Sequence, residues 1–474
     1  MRDVLRGTKP NILMVMLDSV RPEWLSCYGS AATTSPRIDA IAERGTVFET
    51  AIGPSAWTFP VMASVFTGML PTKHGGHDEH QLLDSAYPTL AETLQRHGYD
   101  TAGFADVPYV GPSTRLDRGF GFLSNMRVPQ VSLASKVFKA AGRVHRKVSG
   151  RYTKTCETRV LMGEALRWYE RQRDRSKPFF LYLHTDETHA PFLPPPEYRR
   201  KFAGLSRTRM YEINQDKQLY VSGQVRMTER DFADLHALAK AEVAFFDAWL
   251  GVLLDRLERD GVLSDTAVVI AADHGDNLGE HGLLRHGLCL YDTLVHVPLI
   301  VKSAGTGSGR RVRELVQLID VFPTLMTAAG IDEPATRAEH QGGDLAAQVR
   351  EGRFARFAVS ELYRPGQGLW RKKAPGFMPE FLERYDRRLR ALRTNTHKYI
   401  WASNGRCELY DLTRDPGERR NLIDLEAGRA ADMQRDLDAW LATFEAKEAS
   451  ATVAVEDTAD ERVFERLKEL GYVE

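Results

Sequence analysis

Apolar and polar positions change places along this chain in a regular way. Residues 11–17, Asn-Ile-Leu-Met-Val-Met-Leu, form an unbroken apolar run that stops at Asp18-Ser19. Such a run reads as a strand buried on both faces, with a polar residue at its carboxyl end. The pattern recurs at residues 99–104, 177–183 and 266–272. The third run leads into His184-Thr185-Asp186 and the last into Asp273-His274. Helical patterns at residues 37–44 and 90–97 fall between the runs, and residues 242–259 predict a long amphipathic helix. Strands alternating with helices predict an α/β fold, a doubly wound and mostly parallel central sheet with helices on both faces.

Beyond residues 320–330 the sequence turns polar through Gly352, and a boundary is placed there, dividing the chain into 1–352 and 353–474. The second part has short apolar runs at 357–362, 389–394, 398–401 and 407–412, then a helical pattern at about 430–446. This predicts a small α+β subdomain with an antiparallel sheet. Residues 126–155 are a basic, roughly amphipathic insert, read either as a solvated helix over the core or as a contact for an anionic surface. The prolines at 194–196 and the polar stretch 205–226 predict a long loop or lid.

Gly53-Pro-Ser-Ala-Trp-Thr58-Phe-Pro60 runs from a loop into a helix ending near Gly68. Thr58 is a favourable N-cap, and Pro60 is tolerated in a first turn. A helix start gathers free N–H groups and partial positive charge, so an anion can sit there. A hydroxyl at that point serves as cap, as nucleophile, or as both. Asp18, Asp186, Asp273 and His274 all fall just beyond the carboxyl ends of predicted strands, the edge where open α/β sheets bind ligands. Any one of these acids alone is equally at home as a helix cap. Together with Thr58 they define a candidate site.

Composition narrows the partners. With 474 residues the chain exceeds one average domain. Its 64 basic and 64 acidic residues balance, so no global field favours nucleic acid or membrane. Cys27, Cys156, Cys289 and Cys407 form no CxxC and suggest neither a disulfide framework nor a zinc knuckle. No apolar stretch of signal-peptide type follows residues 1–10, and no run is long enough to span a bilayer. The expectation is a cytoplasmic protein acting on a small molecule, with no nucleic-acid partner and no transmembrane segment. A homo-oligomer stays open.

Several segments resemble the sulfatase branch of the alkaline phosphatase superfamily. Asp18-Ser-Val-Arg-Pro-Glu-Trp-Leu-Ser-Cys-Tyr-Gly29 is similar to that family's first metal-binding segment, and Thr58-x-Pro60-x-x-x-Ser64-x-x-Thr67-Gly68 to its nucleophile helix. Asp273-His-Gly-Asp-Asn-Leu-Gly-Glu-His-Gly282 and His296-Val-Pro-Leu-Ile300 resemble the second metal-binding segment. Glu408-Leu-Tyr-Asp-Leu-x-x-Asp415-Pro-x-Glu418 resembles the closing subdomain. The resemblance covers most of the chain and implies an α/β/α sandwich, with 1–352 as the metal-dependent catalytic domain.

Two departures redirect the chemistry. The common sulfatase pattern is Cys/Ser-x-Pro-x-Arg, whose first residue is oxidised to formylglycine. Here those positions are Thr58 and Met62. Oxidising a threonine gives a ketone, so no formylglycine is expected. The usual pair of adjacent acids is Asp18-Ser19, and the later pair is Asp273-His274. Fewer carboxylates and an imidazole suit Zn²⁺ or Mn²⁺ better than Ca²⁺. Asp18, Thr58, Asp273 and His274 would hold one metal. The set resembles the threonine-nucleophile phosphoethanolamine transferases and the nucleotide pyrophosphatase/phosphodiesterases. That likeness makes His189 and His286 catalytic or phosphate-binding residues, and Asp186, with them, part of a second metal site. Asp276, Glu280 and His281 are expected to be supporting or merely polar, and His74 and His77 to be turn residues. Arg364, Trp370, Arg371, Lys372 and Lys373 either shape specificity or form a solvated surface.

The expected activity is metal-dependent hydrolysis or transfer of a phosphoester through a covalent Thr58 intermediate. The target is a phosphodiester, phosphonate ester or phosphomonoester. Two alternatives stay open: a sulfuric ester hydrolase without formylglycine, and a non-catalytic relative of the fold.

Overall fold

The computed structural model describes residues 9–78, 80–125, 157–363 and 384–444. The basic insert 126–155, Cys156 and the group Arg364, Trp370, Arg371, Lys372 and Lys373 lie outside the described residues. Strands, in chain order, are β1 (Asn11–Leu17), β2 (Thr46–Ile52), β3 (Asp100–Ala105), β4 (Phe122–Asn125), β5 (Phe179–Thr185), β6 (Thr266–Ala272) and β7 (Asn277–Leu278). They continue with β8 (Leu284–Arg285), β9 (His296–Lys302), β10 (Arg310–Gln317), β11 (Ala358–Leu362), β12 (Leu389–Arg393), β13 (His397–Ala402) and β14 (Glu408–Asp411).

Eight strands form the central sheet in the order β10-β2-β9-β6-β1-β5-β3-β4. Its neighbours pair in parallel, except that β9 runs antiparallel to both β2 and β6. Every residue of β5 and β6 is buried, as continuous apolar runs require when both faces are covered. Two groups of helices supply the cover. Helix α1 (Pro36–Glu43) and the helix Glu157–Arg171 pack on the long helix Glu229–Arg259. Helix α2 (Thr58–Thr67) packs on Leu90–Arg96 and Val321–Ala328. This is the mostly parallel α/β architecture that the sequence predicts.

Register sets the site. Leu17 lies opposite Thr185 on one side and Ala272 on the other. Asp18, Asp186 and Asp273 therefore leave three adjacent strands at one level. The Asp18 N–H donates to Thr185 O at 3.1 Å, and the Asp273 N–H to Leu17 O at 3.2 Å.

Four sequence expectations shift. The third run extends further than predicted, so His184 and Thr185 belong to β5 itself. The long helix starts at Glu229 because Thr228 and Asp231 form a capping box. The stretch 205–226 holds two short helices, Arg207–Glu212 and Lys217–Val221, capped by Ser206 and Asp216. Thr58 is the first residue of α2 rather than its cap; Trp57 occupies the cap position in extended conformation.

β11, β12, β13 and β14 form an antiparallel sheet backed by the helix Ala427–Leu441. This sheet is stitched to the turn ahead of Thr58. Ser360 Oγ donates to Gly53 O at 2.6 Å, the Glu361 N–H to Pro54 O at 2.8 Å, and Ser55 Oγ to Glu361 O at 2.6 Å.

A buried ion network ties the same sheet to the segment after β8. Lys398 Nζ lies 2.8 Å from Asp292 Oδ1 and 2.8 Å from Glu418 Oε1, while Arg393 Nη2 lies 3.0 Å from Asp292 Oδ2. Burial would raise the Asp292 carboxyl, but Lys398 and Arg393 outweigh it and hold the group well below the usual carboxylate range. Removing one partner of such a network strands buried charge, at a cost of about 3–5 kcal/mol. Lys398→Met is expected to lower stability by about that amount in denaturant unfolding; a loss near zero would show that the network contributes nothing.

Candidate active site

Helix α2 is buried along its whole length, which fixes its start against the strand ends. Because Thr58 is not the cap, its hydroxyl is not spent on the α2 backbone. Thr58 Oγ1 lies 3.4 Å from His274 Nε2. The other ring nitrogen, Nδ1, lies 2.8 Å from Gly275 O. A carbonyl only accepts, so Nδ1 carries the proton and Nε2 turns a lone pair toward Thr58. The same Nε2 stands 3.6 Å from both Asp18 Oδ1 and Asp273 Oδ2.

Ser19 makes the Asp18 turn tight enough for this convergence. Its φ of 62° costs about 1–2 kcal/mol for a residue with a Cβ. In that conformation its N–H donates to Asp273 Oδ1 at 3.1 Å and its Oγ to Asp18 Oδ1 at 2.8 Å. The His274 N–H donates to the same Asp273 Oδ1 at 2.7 Å. Both acids are thus oriented by backbone and hydroxyl donors rather than by cations.

His184 joins this set, and the sequence reading missed it. It lies on β5, fully buried, with Nε2 3.8 Å from Asp273 Oδ2. Tyr182 Oη meets its Nδ1 at 2.8 Å and reaches Met62 Sδ at 3.9 Å. The contact at Nδ1 fixes the ring so that Nε2 faces Asp273. The available signal was a histidine interrupting an apolar strand one residue before its end.

Asp18, His184 and Asp273 therefore present ligand atoms within 4.8 Å of one another, as do Asp18, Asp186 and His189. Asp273 Oδ2 and His184 Nε2 are buried without a hydrogen-bond partner. Two carboxylates and imidazole nitrogens, with no guanidinium or ammonium between them among the described residues, fit a divalent cation bound through oxygen and nitrogen.

The remaining expected residues gather on one side. His189 Nε2 lies 2.9 Å from Arg285 Nη2, and its Nδ1 lies 3.6 Å from Asp186 Oδ1. The His286 ring centre is 5.1 Å from that of His189 and 4.4 Å from that of His274. Burial keeps His286 neutral, pushing it well below the usual imidazole range, with His274 and His189 adding to the effect. Asp276 is fully buried beneath them, its Oδ1 3.5 Å from His286 Nδ1 and its Oδ2 3.8 Å from Arg285 Nε. Arg285 and Lys217 are two cations of this cluster that were absent from the sequence reading. His281 instead stacks on Tyr291, with ring centres 3.7 Å apart. Glu280 accepts from Arg21 Nη1 at 2.5 Å. His74 accepts the Gly76 N–H at Nδ1 and holds Ser64 Oγ at 2.9 Å, the turn role expected of it.

A family model described as Sulfatase matches residues 10–331, and the chain belongs to that family. A second, described as N-sulphoglucosamine sulphohydrolase, C-terminal, matches residues 279–447. Arylsulfatase K of Bos taurus is 27% identical over 449 residues, covering 87% of this chain and 78% of that protein. The uncharacterized sulfatase YidJ of Escherichia coli is 25% identical over 442 residues, covering 88% and 83%. The phosphonate monoester hydrolase of Agrobacterium radiobacter superposes with a TM-score of 0.71 at 22% identity, covering 91% of this chain and 95% of that one. The protein is a sulfatase-like ester hydrolase. Among the described residues, no helix is long and apolar enough to cross a membrane.

Burial raises Asp18 and Asp273, the latter to about 7. An unfolded aspartate releases its proton near pH 4, at about 3.9. Between those values the folded, metal-free protein binds more protons than the unfolded chain. Its stability is therefore expected to fall as pH rises through that window and to level off above it. A divalent cation displaces these protons, so its affinity rises over the same window. Thermal unfolding with chelator or with Mn²⁺ at pH 5 and 8 checks this. The metal-induced rise in Tm should be larger at pH 8; equal rises would contradict it.

Proposed function

We propose that the protein hydrolyses or transfers a phosphoester, with Thr58 as the nucleophile. The observation that carries this reading is the Thr58 hydroxyl at the start of a buried helix, 3.4 Å from His274 Nε2, which itself stands 3.6 Å from both Asp18 Oδ1 and Asp273 Oδ2. An alcohol needs activation by a base or by metal coordination to act as a nucleophile. A threonine at this position, with a methyl on its β-carbon, also argues against a formylglycine route.

Asp18, Asp273 and His274 would hold a Zn²⁺ or Mn²⁺ ion together with the Thr58 oxygen, and His184 is placed to join them; bound there, the ion would supply Lewis acidity. The second group, Asp18, Asp186 and His189, supports room for a second ion.

Thr58 Oγ attacks phosphorus in line, the bond from phosphorus to the leaving oxygen breaks, and phospho-Thr58 forms. N–H groups at the start of α2 and the His189, His286 and Arg285 cluster stabilise the charge spread over the phosphoryl oxygens. A neutral His189 or His286 takes up the proton that Thr58 releases and passes it to the leaving oxygen; it then takes one from the water or acceptor alcohol that attacks phospho-Thr58 and returns it to the Thr58 oxygen. The phosphonate monoester hydrolase with this fold supports a phosphorus centre. The names of the curated relatives favour a second reading, sulfate-ester hydrolysis by the same unmodified Thr58. A cytoplasmic location and a division of the chain into 1–352 and 353–474 are proposed from the sequence alone.

Aryl phosphate mono- and diesters and an aryl sulfate, each assayed with Zn²⁺ and Mn²⁺, separate the two. The phosphorus esters are expected to turn over faster. Thr58→Ala should lower kcat/KM by about a thousandfold or more, and Thr58→Ser should recover part of it. Full activity in Thr58→Ala would end this account. Asp273→Asn is expected to lose tight metal binding in elemental analysis.

A further inference from the structure

His189 and His286 sit on separate loops, one after β5 and one after β8. A third segment touches both loops within three residues. Gln215 pairs with the backbone of Phe192, three residues beyond His189: its Oε1 accepts the Phe192 N–H at 2.6 Å, and its Nε2 donates to Phe192 O at 3.3 Å. Phe192 is fully buried, edge-on to Trp24, so that loop is anchored where Gln215 grips it. Two residues on, Lys217 Nζ donates to His286 O at 3.0 Å.

The bridge itself is held in shape. Asn214 Nδ2 donates to Asp216 O at 3.0 Å, and the Asp216 N–H donates back to Asn214 Oδ1 at 3.2 Å. Asp216 Oδ1 then accepts the N–H groups of Gln218 and Leu219, which fixes Lys217 as the first residue of its helix. Four consecutive residues thus form a short, internally bonded strut between the loops bearing the two histidines.

We propose that Gln215 and Lys217 are positioning residues that set the spacing of His189 and His286. The inference rests on the reading that these histidines hold the transferred group. A small misplacement of such groups costs rate out of proportion to its size. Lys217 also adds a cation beside His286. Burial lowers its pKa to about 8, as does Arg285, while Asp276, Asp216 and Asp78 support its charge.

A pair of double-mutant cycles tests this, using 4-nitrophenyl phosphate or its diester, whichever turns over faster. Gln215→Leu is combined with His189→Ala, and Lys217→Met with His286→Ala. Each strut variant should lower kcat about tenfold to a hundredfold in the wild-type background, and KM much less. It should cost nothing further where its histidine is already gone. Lys217→Arg should restore most of the rate. An unchanged kcat, or an equal loss in both backgrounds, would overturn the proposal. Unchanged rates in His189→Ala and His286→Ala would instead overturn the reading beneath it. Melting temperatures accompany each variant, and Gln215→Met, which keeps the length of the side chain without either hydrogen bond, replaces Gln215→Leu if the latter does not fold.

Discussion

Two buried carboxylates, with no cation between them among the described residues, set the demands of this site. Asp18 and Asp273 leave adjacent parallel strands at one level, and burial penalises the charge on both. Such a pair persists only when donors and a counter-charge are arranged around it. The donors are present: the strained Ser19 turn and the His274 N–H point at Asp273, and Ser19 Oγ points at Asp18. What remains unmatched is positive charge, which the chemistry of the surrounding oxygen and nitrogen atoms suits to a divalent ion. The requirement explains why rigid elements converge here. Helix α2 is wholly buried, and the small antiparallel sheet reaches across to brace the turn that feeds it.

Around that pair the residues divide by charge. Next to Thr58 stand acids and imidazoles that offer lone pairs. Beyond His274 stand His286 and His189, with Arg285 against His189 and Lys217 against the His286 carbonyl. Asp276 lies buried beneath that second group and balances part of its charge. The division suits in-line displacement, in which the nucleophile and the charge on the transferred group need opposite surroundings.

Much of this was legible in the sequence because it rests on strand ends. Apolar runs that stop at an acid gave Asp18, Asp186 and Asp273 directly, and the parallel alternation placed them on one edge. Thr58 was found from helix-start chemistry, although Trp57 rather than Thr58 takes the cap position, which frees the hydroxyl. β2, β9 and β10 carry mixed patterns, and one of them runs against the sheet, so periodicity did not mark them as its strands. His184 was passed over because a strand interior is normally apolar. Arg285 and Lys217 were out of reach: the first depends on a left-handed backbone at φ 70°, the second on a contact between residues 69 apart in sequence. Local patterns reveal what a strand or helix does to its own residues. They do not reveal which loop folds over which.

The family supplies the scaffold, and the proposed chemistry turns on the residue at position 58. The most direct measurement is therefore rapid-quench mass spectrometry of the enzyme during turnover of an aryl phosphate ester, with peptide mapping across α2. The account predicts a transient phosphoryl group on Thr58, formed within one turnover and lost once the substrate is exhausted. A phosphoryl adduct on another residue, or turnover with Thr58 unmodified at every time point, would contradict it.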